Sequence, residues 1–307
     1  MKLYYPETMQ KMARPVIFGE VLFDVFPDGE IVMGGAPLNV AWHLKGFGIN
    51  PLLVSRLGSD DNGQSVLDKM THWGLDVSGI QRDEIHPTGR VEISLKNGQP
   101  EFSILPEQAY DYIDTVQARA AVEGQDIAML YHGSLAVRNP VSLAALNELK
   151  AVCNGSIFVD INLREPWWNH HDVDALITSA HWLKLNDAEL IELSNKPGSD
   201  LNRLAEDYVC SSKLEHLVLT LGDKGACLFE HGNTLKGDPV PAKNILDTVG
   251  AGDAFSSVII LGALMGWSSE VTMPRALAFA SLLCTIRGAT IPDLEKYKAL
   301  LKSWGAE

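Results

Sequence analysis

Apolar residues along the chain fall into two alternating patterns. Short runs rich in β-branched and aromatic residues, at positions 15–26, 51–57, 127–131, 157–161, 182–185 and 217–221, read as strands. Between them, segments such as 141–152 and 187–194 carry apolar residues at three-to-four spacing and read as helices. Runs such as Ile127-Ala128-Met129-Leu130-Tyr131 are apolar at consecutive positions, as expected for strands covered on both faces. The pattern predicts an α/β fold, a mostly parallel central sheet flanked by helices. In such sheets ligands gather beyond the carboxyl ends of the strands, so function is expected in the loops there.

Two stretches break the alternation. Residues 22–33 read as strand, turn at Pro27-Asp28-Gly29, strand; residues 89–105 read as strand, turn at Asn97-Gly98, strand. A lone two-stranded ribbon is marginal in water. Joined, the two would make a small sheet projecting from the main domain, placed to act as a lid; two unrelated surface hairpins would give the same pattern. With no internal repeat, low-complexity tract or flexible linker, residues 1–307 are expected to form a single domain carrying these candidate lid segments. The longest apolar stretch, 254–267, is about 14 residues and includes Ser256, Ser257 and two glycines. It falls short of the roughly 20 residues needed to span a bilayer and reads as a buried helix.

Composition narrows the functional classes. The 307 residues carry 25 Lys+Arg against 39 Asp+Glu, a formal net charge of −14, and 46% are apolar, which excludes a disordered polymer. The acidic balance disfavours nucleic acid and anionic membranes as partners, because no basic cluster offsets it. A small anion is still compatible, since a helix terminus or a single Arg can attract one locally. Cys153, Cys210, Cys227 and Cys284 are far apart, without metal-ligand spacing, and read as reduced thiols. The first 15 residues lack a signal-peptide core, so a cytoplasmic location is expected.

The most informative stretch is Asp247-Thr248-Val249-Gly250-Ala251-Gly252-Asp253-Ala254-Phe255, which runs directly into the apolar helix. Small residues at a helix start leave backbone N–H groups open to an incoming anion. Asp253 would fall in the first helical turn, where its carboxylate could accept a proton from a substrate hydroxyl. A tight turn followed by a first-turn acid accounts for a bare Gly-Asp pair equally well.

As a whole, that string is similar to the C-terminal signature of the ribokinase-like (PfkB) carbohydrate kinases. Gly34-Gly35-Ala36-Pro37-Leu38-Asn39-Val40-Ala41 resembles the family's di-glycine sugar-binding signature in its fructokinase form. Asp160-Ile161-Asn162-Leu163-Arg164, Asn186-Asp187-Ala188-Glu189 and Thr220-Leu221-Gly222-Asp223-Lys224-Gly225 resemble further blocks in the family's order. The resemblance spans residues 16–289 and implies a ribokinase-like fold and ATP-dependent phosphorylation of a sugar's primary hydroxyl.

What it implies for single residues is as follows. Asp253 would be the catalytic base, with Gly250, Ala251 and Gly252 as the anion hole. Asp24, Gly35, Asn39 and Arg164 would bind the sugar; a hairpin-end acid, a helix cap and an exposed arginine are the plainer readings of Asp24, Asn39 and Arg164. Asn186 and Glu189 would help organise magnesium and phosphate, although three-residue spacing at a helix start also suits a capping box. Thr220, Gly222 and Gly225 would form the nucleotide loop, where a simple turn is the competing view. Asp247 and the carbonyl of Val249 would be local candidates for a monovalent cation such as K+. ATP and Mg2+ are the implied cofactors, a small sugar the partner, and pairing of the hairpins between two chains would give a homodimer.

Fructose, giving fructose 6-phosphate, is the favoured substrate, because Gly35-Ala36-Pro37 and Asn162-Leu163-Arg164 followed by Trp167-Trp168 resemble fructokinases. Leu38, Ile161 and the segment 104–110 depart from that pattern and keep another ketose, a keto-sugar acid or a nucleoside open. A catalytically weak sugar-binding regulator is the non-enzymatic alternative. A nicotinamide-dependent oxidoreductase is disfavoured by the missing G-x-G-x-x-G after the first strand. Gly58-Ser59-Asp60-Asp61-Asn62-Gly63-Gln64-Ser65 has P-loop glycine spacing, but Gln64 stands where the lysine should and two aspartates line the loop. A strand-to-helix turn capped by Asp or Asn is expected there. His170-His171 and Trp167-Trp168 read as exposed polarity and packing.

Overall fold

The computed structural model describes residues 13–96, 99–230, 232–242 and 244–306. The turn expected at Asn97-Gly98, like the first twelve residues, lies outside the described residues.

A nine-stranded sheet forms the centre. In chain order its strands are β1 (Arg14–Phe18), β4 (Leu52–Gly58), β5 (Ile80–Asp83), β8 (Ile127–His132), β9 (Ser156–Asp160), β10 (Trp182–Asn186), β11 (His216–Thr220), β12 (Ala226–Glu230) and β13 (Asn233–Gly237). They lie in the order β13-β12-β11-β10-β9-β8-β1-β4-β5. Pairing is parallel from β11 through β5, and β12 and β13 add an antiparallel edge.

A second sheet of four strands contains β2 (Leu22–Val25), β3 (Ile31–Gly34), β6 (Gly89–Lys96) and β7 (Gln99–Ile104) in the order β3-β2-β6-β7. The two predicted hairpins are therefore joined, through parallel pairing of β2 with β6. The run at 15–26, expected as one strand, splits between the sheets. Gly19 makes the last bond to Val54 on β4, after which the chain turns away into β2. Asp24 thus belongs to the small sheet and not to the first strand of the large one.

Helices cover both faces: α1 (Ala36–Gly46), α2 (Asp61–Trp73), α3 (Thr115–Val122), α4 (Pro140–Val152), α5 (His170–Thr178), α6 (Asp187–Ser194), α7 (Leu201–Ser212), α8 (Ala251–Met265), α9 (Ser269–Leu283) and α10 (Leu294–Ser303). Ile17 and Leu53 face a core shared with α1, α2, α8, α9 and α10, while Val16, Phe18, Leu52 and Val54 face a second core under α3 to α7. Strand residues alternate between faces, so a strand buried on both sides has no polar positions to show. The stretch at 254–267 folds as α8, with Ala254 to Gly262 buried. No helix among the described residues is long and apolar enough to cross a membrane. Asp60 caps α2 by accepting from Gly63 N–H, so the P-loop-like string is the capped turn expected of it.

Helix α1 is anchored at its far end. Trp42 Nε1 donates to the Ile291 carbonyl at 3.0 Å, and His43 Nε2 donates to the Ala289 carbonyl at 3.0 Å. The other ring nitrogen of His43 faces the Tyr297 hydroxyl at 2.7 Å. Burial pushes this imidazole down to about 3, so it stays neutral. Gly46 closes the helix against the Tyr297 ring, where a Cβ would lie 2.5 Å from the nearest ring carbon. Gly46→Ala should therefore displace Tyr297 and lower stability by about 1–3 kcal/mol, read as a reduced urea midpoint.

Candidate active site

Two glycine turns face each other at the carboxyl end of the large sheet. In one, Gly35 is the N-cap of α1 at φ 109, and a Cβ there would lie 2.6 Å from the Glu20 carbonyl oxygen. In the other, Gly250 caps α8 in the left-handed region at φ 77, packed against Ala289. Any side chain at Gly250 would meet the Ala289 Cβ at 2.5 Å. No side chain caps α8. Ala251 N–H bonds to Thr248 and Ala254 N–H to Gly250, while the N–H groups of Gly252 and Asp253 find no acceptor among the described residues. Of the expected anion hole of Gly250, Ala251 and Gly252, the Ala251 N–H is thus taken up by the turn; the open donors of Gly252 and Asp253 at the helix start, reinforced by its dipole, form a cradle for an anion.

Asp253 is the third residue of α8, as its position in the string predicted. Asn39 Nδ2 donates to its Oδ2 at 2.8 Å, joining the starts of α1 and α8. Asn39 is not a cap: it lies one turn into α1, its own N–H bonded to the Gly35 carbonyl. Its buried Oδ1 has no partner and can accept from a ligand hydroxyl. Burial raises the Asp253 carboxyl to about 6, against the Asn39 bond, which favours the ionised form.

Asp24 and Arg164 border the same space. Burial raises Asp24 to about 6, opposed by the attraction of the Arg164 guanidinium. Arg164 is exposed and makes no ion pair among the described residues; its charge also reaches Glu20 and Asp253.

Glu20 is a site residue that the sequence pattern did not flag. It is 5% exposed, takes its own N–H and that of Ala36, and keeps a buried Oε2 without a partner. Burial first, and the nearby Asp253 charge, raise it to about 7. A carboxylate inside the otherwise largely apolar run at 15–26 was the available signal.

Beneath the cradle lies a second unflagged group. Asp160 accepts from Lys184 Nζ at 2.6 Å, from Ser256 Oγ at 2.6 Å and from the Tyr131 hydroxyl at 3.0 Å. Burial pulls the Lys184 ammonium down, but the Asp160 carboxylate outweighs it and holds the group above its ordinary range. Lys184 Nζ approaches the cradle floor, 3.5 Å from where a Cβ on Gly252 would stand. Its signal was a lysine inside the apolar run Trp182-Leu183-Lys184-Leu185.

The remaining predicted residues sit on adjoining strand ends and loops. Asn186 and Glu189 form a capping box on α6, and Glu189 Oε1 also accepts from Leu163 N–H at 3.1 Å. Thr220 ends β11 and donates to the Leu185 carbonyl at 3.4 Å; Gly222 opens a single 3₁₀ turn. Gly225 packs against the chain at Gly237, where a Cβ would lie 2.2 Å from the carbonyl oxygen. That close approach gives it a backbone-packing duty separate from any nucleotide. Asp247 accepts from Val249 N–H and Gly288 N–H, and so pins the loop before the cradle. The structure thus gathers Asp24, Gly35, Asn39, Arg164 and the Gly250–Asp253 turn around one space, with Asn186, Glu189, Thr220 and Gly222 on neighbouring strand ends.

Comparison with known proteins places the chain in a family and a fold. Residues 19–296 match the sequence profile of the pfkB family carbohydrate kinase. The chain is 28% identical over 307 residues to fructokinase-2 of Oryza sativa subsp. japonica, covering 91% of this chain and 90% of that one. Its fold matches that of Xylella fastidiosa fructokinase with bound ATP at a TM-score of 0.82, with 21% identity, covering 95% of this chain and 99% of the other. It also matches Vibrio cholerae fructokinase with fructose, ADP and calcium ion at a TM-score of 0.79, with 24% identity over 94% of this chain and 99% of the other. The fold is ribokinase-like.

The electrostatics give a direct test of the Asn39–Asp253 bond. Carboxyl-labelled carbon NMR should show Asp253, identified by its loss in Asp253→Asn, titrating near 6. In Asn39→Ala the titration should move upward, because the lost donor favoured the charged form; an unmoved midpoint would show that the bond does not hold the ionised carboxylate.

Proposed function

The chain belongs to the pfkB family of carbohydrate kinases, and from that membership we propose that it transfers the γ-phosphoryl group of ATP to the primary hydroxyl of D-fructose, giving fructose 6-phosphate. The observation that carries this reading is the Asp253 carboxylate in the first turn of α8, bonded to Asn39 and adjoining open backbone donors. The fructokinase relatives and the Gly35-Ala36-Pro37 and Asn162-Leu163-Arg164 strings support fructose as the acceptor.

In this reading Asp24 and the free Oδ1 of Asn39 accept from sugar hydroxyls and orient the ring. Asp253, ionised near neutral pH, accepts the proton of the attacking hydroxyl as the new O–P bond forms and the bond to ADP breaks. The Gly252 and Asp253 N–H groups meet the charge on the transferring group, and the buried Lys184 beneath them adds positive potential. Closure of the small sheet over the sugar would limit hydrolysis of ATP by water.

The residues fit a magnesium ion carried by the polyphosphate. Each Glu189 oxygen takes one backbone N–H and keeps acceptor capacity for water, so Glu189 and Asn186 would hold the ion's water shell. When bound, the ion neutralises polyphosphate charge. Asp247 keeps similar capacity and, with the Val249 carbonyl, would hold a monovalent cation behind the cradle. Thr220 and Gly222 are proposed to border the nucleotide.

A second acceptor class, a keto-sugar acid, is favoured by one observation: the Arg164 guanidinium, without an ion pair among the described residues, suits a substrate carboxylate. An ADP-release screen over ketoses, aldoses, keto-sugar acids and nucleosides separates the two, and activity confined to non-sugars would overturn both. Asp253→Asn should retain sugar and ATP binding while lowering kcat about 10²-fold or more; near-normal turnover would reject the base. We also propose a homodimer through the small sheet, whose edge strands expose Ile31 at 49% and Phe102 at 52%. Sedimentation as a strict monomer would refute it.

A further inference from the structure

A groove runs between α4 and α5 on the face of the sheet opposite α8, outside the space bordered by Asp24, Asn39 and Asp253. It encloses about 180 Å³, below the roughly 300–1,000 Å³ of pockets for drug-sized ligands. Its walls are largely apolar, formed by Leu143 from α4, Leu176 from α5, and Trp168 from the loop before α5.

Two cations line the groove among the described residues, Arg138 and Lys150, and only Lys150 lacks a carboxylate partner there. Lys150, near the end of α4, is partly buried, and its Nζ donates to Ser179 Oγ at 2.8 Å. No carboxylate pairs with it among the described residues, and burial alone pushes its ammonium down to about 8. The surrounding titratable groups do not supply the missing counter-charge. Asp172, which also lines the groove, takes Asn169 Nδ2 at 2.6 Å and makes no ion pair with Lys150 among the described residues. Arg138, at the far end, is held by Asp111 at 2.7 Å. His132, behind Lys150 on β8, is kept neutral by burial and by the Lys150 charge. In a chain of net charge −14, an ammonium half-withdrawn from water without an anion is an unfavourable arrangement that a ligand carboxylate would relieve.

We propose that this groove is a second ligand site, which takes a small monocarboxylate with an apolar or aromatic body. The carboxylate pairs with Lys150 Nζ and reaches the Ser179 hydroxyl and the Asn147 amide, while the body lies along Leu143, Leu176 and Trp168. A single ammonium matches a single negative charge, and the apolar walls match a hydrocarbon body better than a sugar or a polyphosphate. One end of the groove is formed by Trp167, on whose ring the Arg138 guanidinium stacks at 4.1 Å. Arg138 also donates to the Leu105 carbonyl, directly after β7. An occupant would therefore touch the strut that ties the small sheet to the main body.

The test uses the full chain and the probe pair 3-phenylpropionate and 3-phenylpropionamide, titrated calorimetrically with fructose and a non-hydrolysable ATP analogue present in excess. Near pH 7 the acid should bind at least about tenfold more tightly than the amide, the scale of one charged hydrogen bond. That advantage should fade as the pH rises past about 8, where the amine loses its proton. Lys150→Met should remove the preference for the acid and leave basal ADP release unchanged. Leu143→Trp should fill the groove and block both probes, which keeps the test sharp if Lys150→Met fails to fold. Asp253→Asn should bind the acid normally, so failure of the kinase reading is distinguishable from failure here. Absence of acid binding, equal affinity for acid and amide, or an acid preference that survives Lys150→Met would overturn the site.

Discussion

The hydrogen bond from Asn39 to Asp253, 2.8 Å long and spanning 214 positions of sequence, is the interaction on which the candidate site depends. It joins the first turn of α1, which follows the di-glycine, to the first turn of α8, which carries the cradle. A carboxylate this deep is disfavoured as an anion, and a donor aimed at its charged form is what keeps it usable as a base. The same bond fixes which Asn39 atom is left over. With the amide nitrogen committed to Asp253, the free carbonyl oxygen can only accept, which suits a hydroxyl donor. Base and acceptor are thereby set at a fixed spacing before any ligand arrives.

That bond would position little if the two helices were free to move, and the far side of α1 prevents it. Trp42 and His43 hold the carbonyls of Ile291 and Ala289, and Ala289 is the residue against which Gly250 packs. One helix therefore fixes the cradle twice, from the front through Asn39 and from behind through the segment at 289–291. His43 does this as a neutral ring, because its burial keeps the imidazole uncharged. The small residues of the 250–252 turn follow from the same constraint: Gly250 needs both its left-handed backbone and its missing side chain, because Ala289 occupies the space beyond it.

Much of this was legible in the sequence, for identifiable reasons. Consecutive apolar runs revealed strands covered on both faces, and glycines at a helix start revealed a backbone cradle, because both are local patterns with local causes. The strand break at Gly19 was not legible, since an apolar run reads alike whether it feeds one sheet or two. A helix cap stood as the plainer alternative for Asn39, and its bond to Asp253 was not legible because that partner lies in another helix. Asn186 and Glu189 did form the capping box that local spacing allowed, which shows how one spacing serves two duties. Glu20 and Lys184 were visible only as charges interrupting apolar surroundings; what made them informative, the orphan Oε2 of one and the Asp160 partner of the other, exists only after folding.

The electrostatics of the site divide along the line between its two halves. Glu20 and Asp24 are raised to about 7 and 6, so the face built from the turn before β2, β2 itself and α1 is rich in acceptors whose charge is easily surrendered. The face built from α8 and β10 offers the reverse, bare N–H groups over a lysine that stays charged. In the proposed reaction the hydroxyl donors of a polyol call for acceptors and a polyphosphate calls for donors, so each half suits a different reactant. Pooled at random, the acids would repel the phosphates that the amides attract. Asp253 stands at the boundary, in the helix that supplies the amides and bonded to the helix that supplies the acceptors, which is where the proposed transfer requires a proton to leave one reactant as phosphorus arrives from the other.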